Sequence, residues 1–327
     1  MPTLAGGAVL DECLAALARQ TFRGFEAIVV DNSGLGRVPE TNLPVFVRVL
    51  SSPRNLGYGG AINLACRESA ASEFVAALND DAVPHPAWLA ALLESADSHP
   101  RAGMWASCVR LSEDRLDSAG MLLYPDGAGK QRGHGRPPRE FVEAAEVLLP
   151  SGSAALYRRS MLEQTGGFDE DFFLYCEDTD LGLRAQWAGW NCRYVPGAIV
   201  DHRYSQSAGR ASPLKAYYVE RNRILVAVKN FPAAMLAAAP LHAARRYGWH
   251  LITLLSGQGP AGEFRQGGGS PLLLIWFVLR AHLSAAWQLP RLWRERRRVR
   301  RTAAIGAAQF IVLARRHAIS AHEVSHL

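Results

Sequence analysis

The chain lacks most of the marks that would sort a protein of 327 residues at a glance. Its five cysteines (Cys13, Cys66, Cys108, Cys176 and Cys192) are scattered, and no two are spaced as Cys-x-x-Cys. An odd, dispersed set excludes a disulfide framework and a cysteine zinc site, and reads as reduced thiols in a cytoplasmic protein. No basic segment followed by an apolar stretch opens the chain, so no signal peptide is expected. No run reaches the roughly 18 uncharged apolar residues of a spanning helix. The nearest, from Pro271 to Leu279, stops at Arg280 and suits a buried or an interfacial helix. Neither a Walker loop nor the spacing of a dinucleotide fingerprint occurs, and no internal repeat is present.

What is present describes a globular protein. Hydrophobic residues make up 49% and charged residues 20%, proportions that exclude disorder. The net charge of +6 is unevenly placed, with seven arginines against one glutamate between Arg291 and Arg301. Such a run suits an anionic partner, either nucleic acid or an anionic membrane surface, or else a solvated helix face. No aromatic residue interleaves Arg294 to Arg301, which weighs against nucleic acid. Trp276, Trp287 and Trp293 beside arginines instead suit the headgroup level of a membrane.

The first two-thirds of the chain alternate strand-like and helix-like segments. Leu10, Leu14 and Leu17 predict a helix over 10–20, and the apolar run 26–30 predicts a strand entering the loop Asp31-Asn32-Ser33-Gly34. Strand 45–50, helix 59–71, strand 74–78 and helix 86–98 follow, the rhythm of a parallel sheet flanked by helices. In such folds ligands gather at the carboxyl ends of the strands. Tyr124-Pro-Asp-Gly127 predicts a turn between two antiparallel strands, and the Gly-, Pro- and Arg-rich stretch 127–139 a mobile loop. From about Ala211 the chain reads as a separate helical region, broken at Pro232, Pro240, Gly257–Pro260 and Gly267–Pro271. The expected domains are therefore 1–210 and a basic, helical 211–327.

Three polar clusters stand where strands should end. Asp31 can accept hydrogen bonds from a nucleobase or ribose, or simply close the strand with an Asx-turn. Asn79-Asp80-Asp81 places two adjacent carboxylates together, which repel unless a cation lies beside them. Oxygen ligands of this kind suit Mg²⁺ or Mn²⁺, while a helix N-cap region would account for one aspartate better than two. Glu177 and Asp178 fall at the start of a helix whose Leu181, Ala185 and Ala188 share a face and whose Asp180 and Arg184 pair at four residues' spacing. The helix dipole there favours an ionised carboxylate, suited to a general base or to an ordinary acidic N-cap. Between the first two clusters, Asn55-Leu-Gly-Tyr-Gly-Gly60 enters a helix with glycines that would let a diphosphate approach the backbone.

In this order the residues resemble the family-2 glycosyltransferases of the GT-A fold, and within them the bacterial rhamnosyltransferases of cell-wall and surface polysaccharides. The resemblance runs through Val29–Ser33, Asn55–Gly60, Leu78–Asp81, Ser151–Leu156, Gly167–Glu170, Glu177–Leu181 and Asp201-His202, over roughly residues 3 to 223. It implies an α/β fold and metal-dependent, inverting sugar transfer from a nucleotide-diphosphate donor, dTDP-rhamnose first, to a glycan or polyprenyl-linked acceptor. The protein would work in the cytoplasm, peripherally at the inner face of the cell membrane.

By the same resemblance Asp31, Asn55, Gly57, Gly59, Asp80, Gly152 and Ser153 would line the donor pocket. Asp81 and His202 would hold Mg²⁺ or Mn²⁺. Asp178 would be the base, with Glu177 orienting it. The family also begins with a strand that this chain joins only at its end, at Met1-Pro2-Thr3, so the expectation is a start further upstream or a sheet without that strand. Two rival readings are a truncated, non-catalytic binding or assembly protein and a sugar-phosphate nucleotidyltransferase. The latter calls for a basic Gly-rich loop near the N-terminus, and residues 1–10 carry no basic side chain.

Overall fold

The computed structural model describes residues 1–39, 41, 43–69, 72–203, 213–257, 259 and 271–326. The chain opens with β1 (Pro2–Thr3), α1 (Ala8–Ala18), β2 (Ala27–Asp31), β3 (Val47–Ser51), α2 (Gly57–Glu68) and β4 (Phe74–Leu78). Then come β5 (Ala82–Pro84), α3 (Trp88–Ser98), β6 (Ala102–Ser112) and β7 (Arg115–Ser118). β8 (Met121–Leu123) and β9 (Gly129–Gln131) make a two-stranded hairpin. β10 (Ala145–Val147), β11 (Ala154–Arg158), α4 (Arg159–Thr165), α5 (Glu177–Trp187) and β12 (Asn191–His202) complete the α/β part.

β1, β2 and β3 pair in parallel. A mixed sheet carries β10, β12, β6, β11 and β4 in that order, with β5 beside β12 and β7 beside β6. β6 and β12 run parallel, and β11 lies antiparallel between β4 and β6. Successive residues of a strand point to opposite faces, and both faces of this sheet are covered. Trp105, Val109 and Leu156 join α1 and α3 in one core, with Leu10, Leu14, Leu17, Trp88 and Leu92. Their immediate neighbours Met104, Cys108 and Tyr157 face the other core, with Ile62, Phe168 and Leu181. The uninterrupted apolar character of these strands follows from that double coverage.

Two expectations change here. The first strand, expected to be missing or truncated, is present as the short Pro2–Thr3, and two residues suffice to pair: Val30 N–H donates to Met1 O and Asn32 N–H to Thr3 O, both at 2.8 Å. The stretch 127–139 is not a loose loop. Leu116 N–H donates to Arg136 O, Ala119 N–H to Arg132 O and Gly135 N–H to Leu116 O, and Arg132 stacks over Phe141 at 4.9 Å. Its glycines supply turns within a hydrogen-bonded segment.

The chain divides into two compact units. The second holds α6 (Pro213–Asn230), α7 (Ala233–Ser256), α8 (Pro271–Trp287), α9 (Leu289–Arg301), α10 (Ala307–Arg316) and α11 (Ala321–His326). It also takes in Leu122–Lys130 and Gln186–Gly189, which sequence order assigns to the first part. Pro240 does not break its helix: it lies inside α7 at an exposed position, where water can serve the carbonyl left without a donor. Gly257, at φ 70°, ends α7 as a left-handed cap. Most of the expected break at Gly267–Pro271 lies outside the described residues.

A balanced set of buried charges holds the hairpin turn to the helices within this unit. Arg246 Nε donates to Asp126 Oδ2 at 2.7 Å and its Nη2 lies 2.8 Å from Glu220 Oε1. Arg223 Nη2 is 2.7 Å from Glu220 Oε2, which also accepts from the Tyr247 hydroxyl at 2.7 Å. Gly127, at φ 100°, follows Asp126, and a Cβ there would stand 2.1 Å from Arg223 O. Burial alone would raise the Glu220 carboxyl, but Arg246, Arg223 and the Tyr247 hydroxyl outweigh it and bring it down to about 2.

A carboxyl depressed on folding contributes stability above its ordinary value of 4.5 and loses it as pH falls toward 2. The stability difference between the wild type and Glu220→Gln, measured by urea unfolding, is therefore expected to be constant from neutral pH to about 4.5. It should shrink below that. A difference that stays flat down to pH 2 contradicts the charge network.

Candidate active site

The most unusual backbone among the described residues precedes α5. Phe173, Tyr175 and Cys176 all adopt positive φ, at 63°, 68° and 65°, in a region that costs side-chain-bearing residues about 1–3 kcal/mol each. This tight turn sets Glu177 and Asp178 at the first positions of α5. Thr179 donates to Asp178 Oδ1 from its N–H at 2.6 Å and from its hydroxyl at 3.2 Å. Gly152 N–H donates to Asp178 Oδ2 at 2.9 Å. Burial pushes the Asp178 carboxyl up, and these hydrogen bonds offset that only in part. Glu177 is buried, and burial together with the neighbouring Asp178 charge pushes it up to about 8. Of the pair, Asp178 is the carboxyl that holds hydrogen-bond donors favouring its charged form, whereas Glu177 Oε2 has none.

The glycine-rich turn packs against this same segment. Asn32 Oδ1 accepts from Leu56 N–H at 2.8 Å, and Asn32 Nδ2 donates to Asn55 Oδ1 and to Gly57 O, each at 3.1 Å. Gly57 has φ 73°, and a Cβ on it would stand 2.1 Å from Phe173 O. A Cβ on Gly59 would stand 2.8 Å from the Phe168 side chain. These two glycines thus admit the chain's own 168–173 segment, a closer constraint than the diphosphate approach inferred from sequence. Between them Tyr58 donates its hydroxyl to Gly152 O. Burial, with Glu177 and Asp178 nearby, holds the phenol well above its ordinary value, so it remains a neutral donor.

The third cluster lies at the end of β4. Asn79 N–H donates to Ser153 O at 2.9 Å, tying this turn to the residue after Gly152. Asp81 is buried, and His202 Nε2 stands 3.2 Å from its Oδ1. On the other side of the ring, His202 Nδ1 donates to Asp117 Oδ2 at 2.9 Å. Asp117 Oδ1 in turn faces His134 Nδ1 at 3.2 Å. Burial would pull the imidazole down, but Asp117 and Asp81 together bring it up to about 9. Asp80 is raised, by burial first, with the adjacent Asp81 adding to it. Asp201, next in chain to His202, turns to the opposite face as strand alternation requires, and meets Arg110 at 2.8 Å and His85 at 2.9 Å.

Asp31 is satisfied by protein alone. Its Oδ1 accepts from Ser33 N–H at 3.0 Å and from the Ser33 hydroxyl at 2.6 Å, and its Oδ2 from Val38 N–H at 2.8 Å. Burial pushes this carboxyl up, but these donors outweigh it and hold it below the ordinary value. The Asx-turn alternative describes this geometry.

Among the described residues, no group of three or more His, Cys, Asp and Glu side chains is arranged to hold a metal. The donors that are present nevertheless fit a hard cation that keeps waters and shares phosphate oxygens, with the His202 ring releasing its proton on binding it. Asp81 Oδ1 is buried and, apart from the His202 ring, has no hydrogen-bond partner. The ring itself is oriented by a carboxylate on its far nitrogen, as metal-bound histidines are. Glu177 Oε2 and Tyr157 Oη are likewise buried without partners. Such orphaned groups call for an explanation, and a polar ligand is one.

Sequence reasoning missed Asn32, Tyr58, Asp117 and Thr179. Asn32, Tyr58 and Thr179 each lie inside a stretch that carries the family resemblance. Asp117 and His134 carried no signal, because only β7 and the turn after β9 bring them to His202.

This architecture is that of the GT-A glycosyltransferases: GalNAc-T7, solved with UDP, GalNAc and Mn²⁺, has the same fold, with a TM-score of 0.55 at 14% identity over 68% of this chain and 46% of that one. The family model described as "Glycosyl transferase family 2" matches residues 1–166, and "Glycosyl transferase family group 2" matches 139–292. The chain is 34% identical over 243 residues to the N-acetylglucosaminyl-diphospho-decaprenol L-rhamnosyltransferase of Mycobacterium tuberculosis, over 66% of this chain and 79% of that one. To the rhamnosyltransferase WbbL of Escherichia coli it is 38% identical over 98 residues, which is 27% of this chain and 37% of that one. The chain belongs to glycosyl transferase family 2, as a rhamnosyltransferase-like glycosyltransferase.

Gly57→Ala should cost roughly 2–4 kcal/mol, from the forced positive φ together with the overlap on Phe173 O. Chemical denaturation measures it, and an unchanged midpoint would show that the approach to Phe173 is not fixed.

Proposed function

We propose that the chain transfers rhamnose, from a dTDP-linked donor, to a hydroxyl of a polyprenyl-diphosphate-linked sugar, with inversion at the anomeric carbon. The relatives named above support the donor and acceptor classes. One observation carries the mechanism: the dipeptide Gly152-Ser153 joins the two polar clusters. Gly152 N–H holds Asp178, while Ser153 O accepts from Asn79 N–H, two residues before Asp81. A base and a diphosphate-binding turn fixed to adjacent residues suit in-line displacement, which needs them on opposite sides of one carbon.

In this reading Asp178 accepts the proton of the acceptor hydroxyl as its oxygen bonds to the anomeric carbon, and the bond to the diphosphate breaks. Glu177, protonated near neutrality, leaves the charge on Asp178 and orients it. Asp31, Asn55, Gly57, Gly59 and Asp80, with Gly152 and Ser153, shape the donor pocket. Asp81 and His202 would hold Mg²⁺ or Mn²⁺, which supplies charge neutralisation to the departing diphosphate. The protein would meet its acceptor at the cytoplasmic face of a membrane.

The test is nucleoside-diphosphate release from a panel of nucleotide sugars, with a lipid-linked acceptor and either cation. Release from the rhamnosyl donor should depend on the cation and disappear in Asp81→Asn. Asp178→Asn should lower turnover roughly 100- to 10,000-fold with little change in donor Kd. Release that survives both substitutions, or no donor binding by calorimetry, would defeat the proposal.

Tyr58→Phe makes a finer test. Removing the donor to Gly152 O loosens the residue whose N–H stabilises ionised Asp178, so the carboxyl should rise further. The acid limb of the kcat/KM profile should then move to higher pH. An unmoved limb would leave Tyr58 a packing residue only.

A further inference from the structure

The second unit presents apolar helix faces that its own packing does not use. On α8, Trp276, Leu279, Leu283 and Trp287 are 56%, 55%, 70% and 89% exposed. With Leu273 they fall within an arc of about 120° at 100° per residue. The opposite side carries Ala281 and Ala285, both buried where α8 packs on α6. α7 repeats the pattern: Arg246 and Thr253 are buried, while Leu241, Ile252 and Leu255 are exposed along one face with Arg245. Scattered exposed leucines are ordinary on a soluble protein, but two apolar helical stripes, one of them carrying the exposed Trp276 and Trp287, are not.

One residue after α8, the arginine-rich α9 begins. Its seven arginines have divided roles. Arg296 Nη1 donates to Val228 O at 2.9 Å and Arg300 Nη2 to Asn230 O at 2.8 Å, which caps the C-terminal end of α6. Arg300 also lies 3.4 Å over the Trp187 ring. Arg294, Arg297, Arg298 and Arg301 instead occupy the exposed face of α9 beside half-exposed Trp293.

We infer that the exposed faces of α7 and α8, with the arginine face of α9, form a docking surface for an anionic lipid bilayer. This rests on, and extends, the lipid-linked acceptor reading. Interfacial helices lie flat with leucine and tryptophan at the acyl boundary and arginines at the phosphates. No helix among the described residues is long and apolar enough to cross a membrane, so the contact is one of surface, not of span. A second copy of the chain fits less well. Symmetric pairing of these faces would bring the arginines of α9 toward one another, whereas anionic headgroups neutralise them.

The test is flotation of the full chain with vesicles of phosphatidylcholine alone and of phosphatidylcholine mixed with phosphatidylglycerol, with no donor or acceptor present. Binding should require the anionic lipid, weaken with salt, and blue-shift tryptophan fluorescence. A Trp276→Phe/Trp287→Phe double variant should bind and lose most of that shift. Leu279→Glu with Leu283→Glu should abolish flotation, and Arg294→Gln, Arg297→Gln and Arg298→Gln should each weaken it roughly five-fold. Donor turnover on a water-soluble acceptor analogue should stay intact in all of these, which separates failure of docking from failure of the transferase reading. No flotation on anionic vesicles overturns the inference, as does a dimer in light scattering that these same leucine substitutions dissociate.

Discussion

The hydrogen bond from Gly152 N–H to Asp178 Oδ2 is the contact on which the arrangement of the site depends. It fixes a carboxylate that burial would otherwise push toward its neutral form. It also sets the distance between α5 and the strand β11 that begins two residues later. Tyr58 from the glycine turn and Asn79 from the acidic turn both reach this dipeptide, one at Gly152 O and the other at Ser153 O. Three segments far apart in sequence therefore share one anchor. A displacement of that peptide would be felt in all of them.

Around this anchor the structure tolerates features that would be faults elsewhere. Three positive-φ side chains are confined to the four residues before α5. Asp81, Glu177 and Tyr157 keep buried polar atoms short of hydrogen-bond partners. Under the proposed function a substrate would supply the interactions missing at these three residues, because selection for a bound complex does not require the free protein to be relaxed. The buried charges of the helical unit show the opposite economy. Glu220 and Asp126 meet Arg223 and Arg246 in equal number, with Tyr247 taking a remaining lone pair. That set joins elements and leaves nothing open for a ligand.

The helical unit also separates two uses of arginine that composition cannot tell apart. Arg296 and Arg300 point inward to helix-end carbonyls, and Arg246 lies in a buried ion pair. Their exposed neighbours lie a turn or less away. Which arginine serves structure and which faces a partner follows from its angle around a helix whose buried side is set by packing.

Local pattern was enough to locate β2, β4, α2 and α3 to within a few residues, since period-2 and period-3.6 spacing report which side of each element meets a core. It was also enough to place Asp31, Asp81, Asp178 and Glu177 at element ends, where polar side chains gather because the backbone there leaves donors open. It could not show that Asp117 orients His202, that Asp201 faces away from it, or that Tyr58 holds Gly152. Nor could it show that the hairpin around Asp126 belongs with the helices, or that Pro240 sits inside α7. Those are decided by strand register, by the order β10-β12-β6-β11-β4 and by burial, all of which depend on segments dozens of residues apart. Sequence spacing records the local periods of a chain, and only the folded sheet determines which strand ends become neighbours.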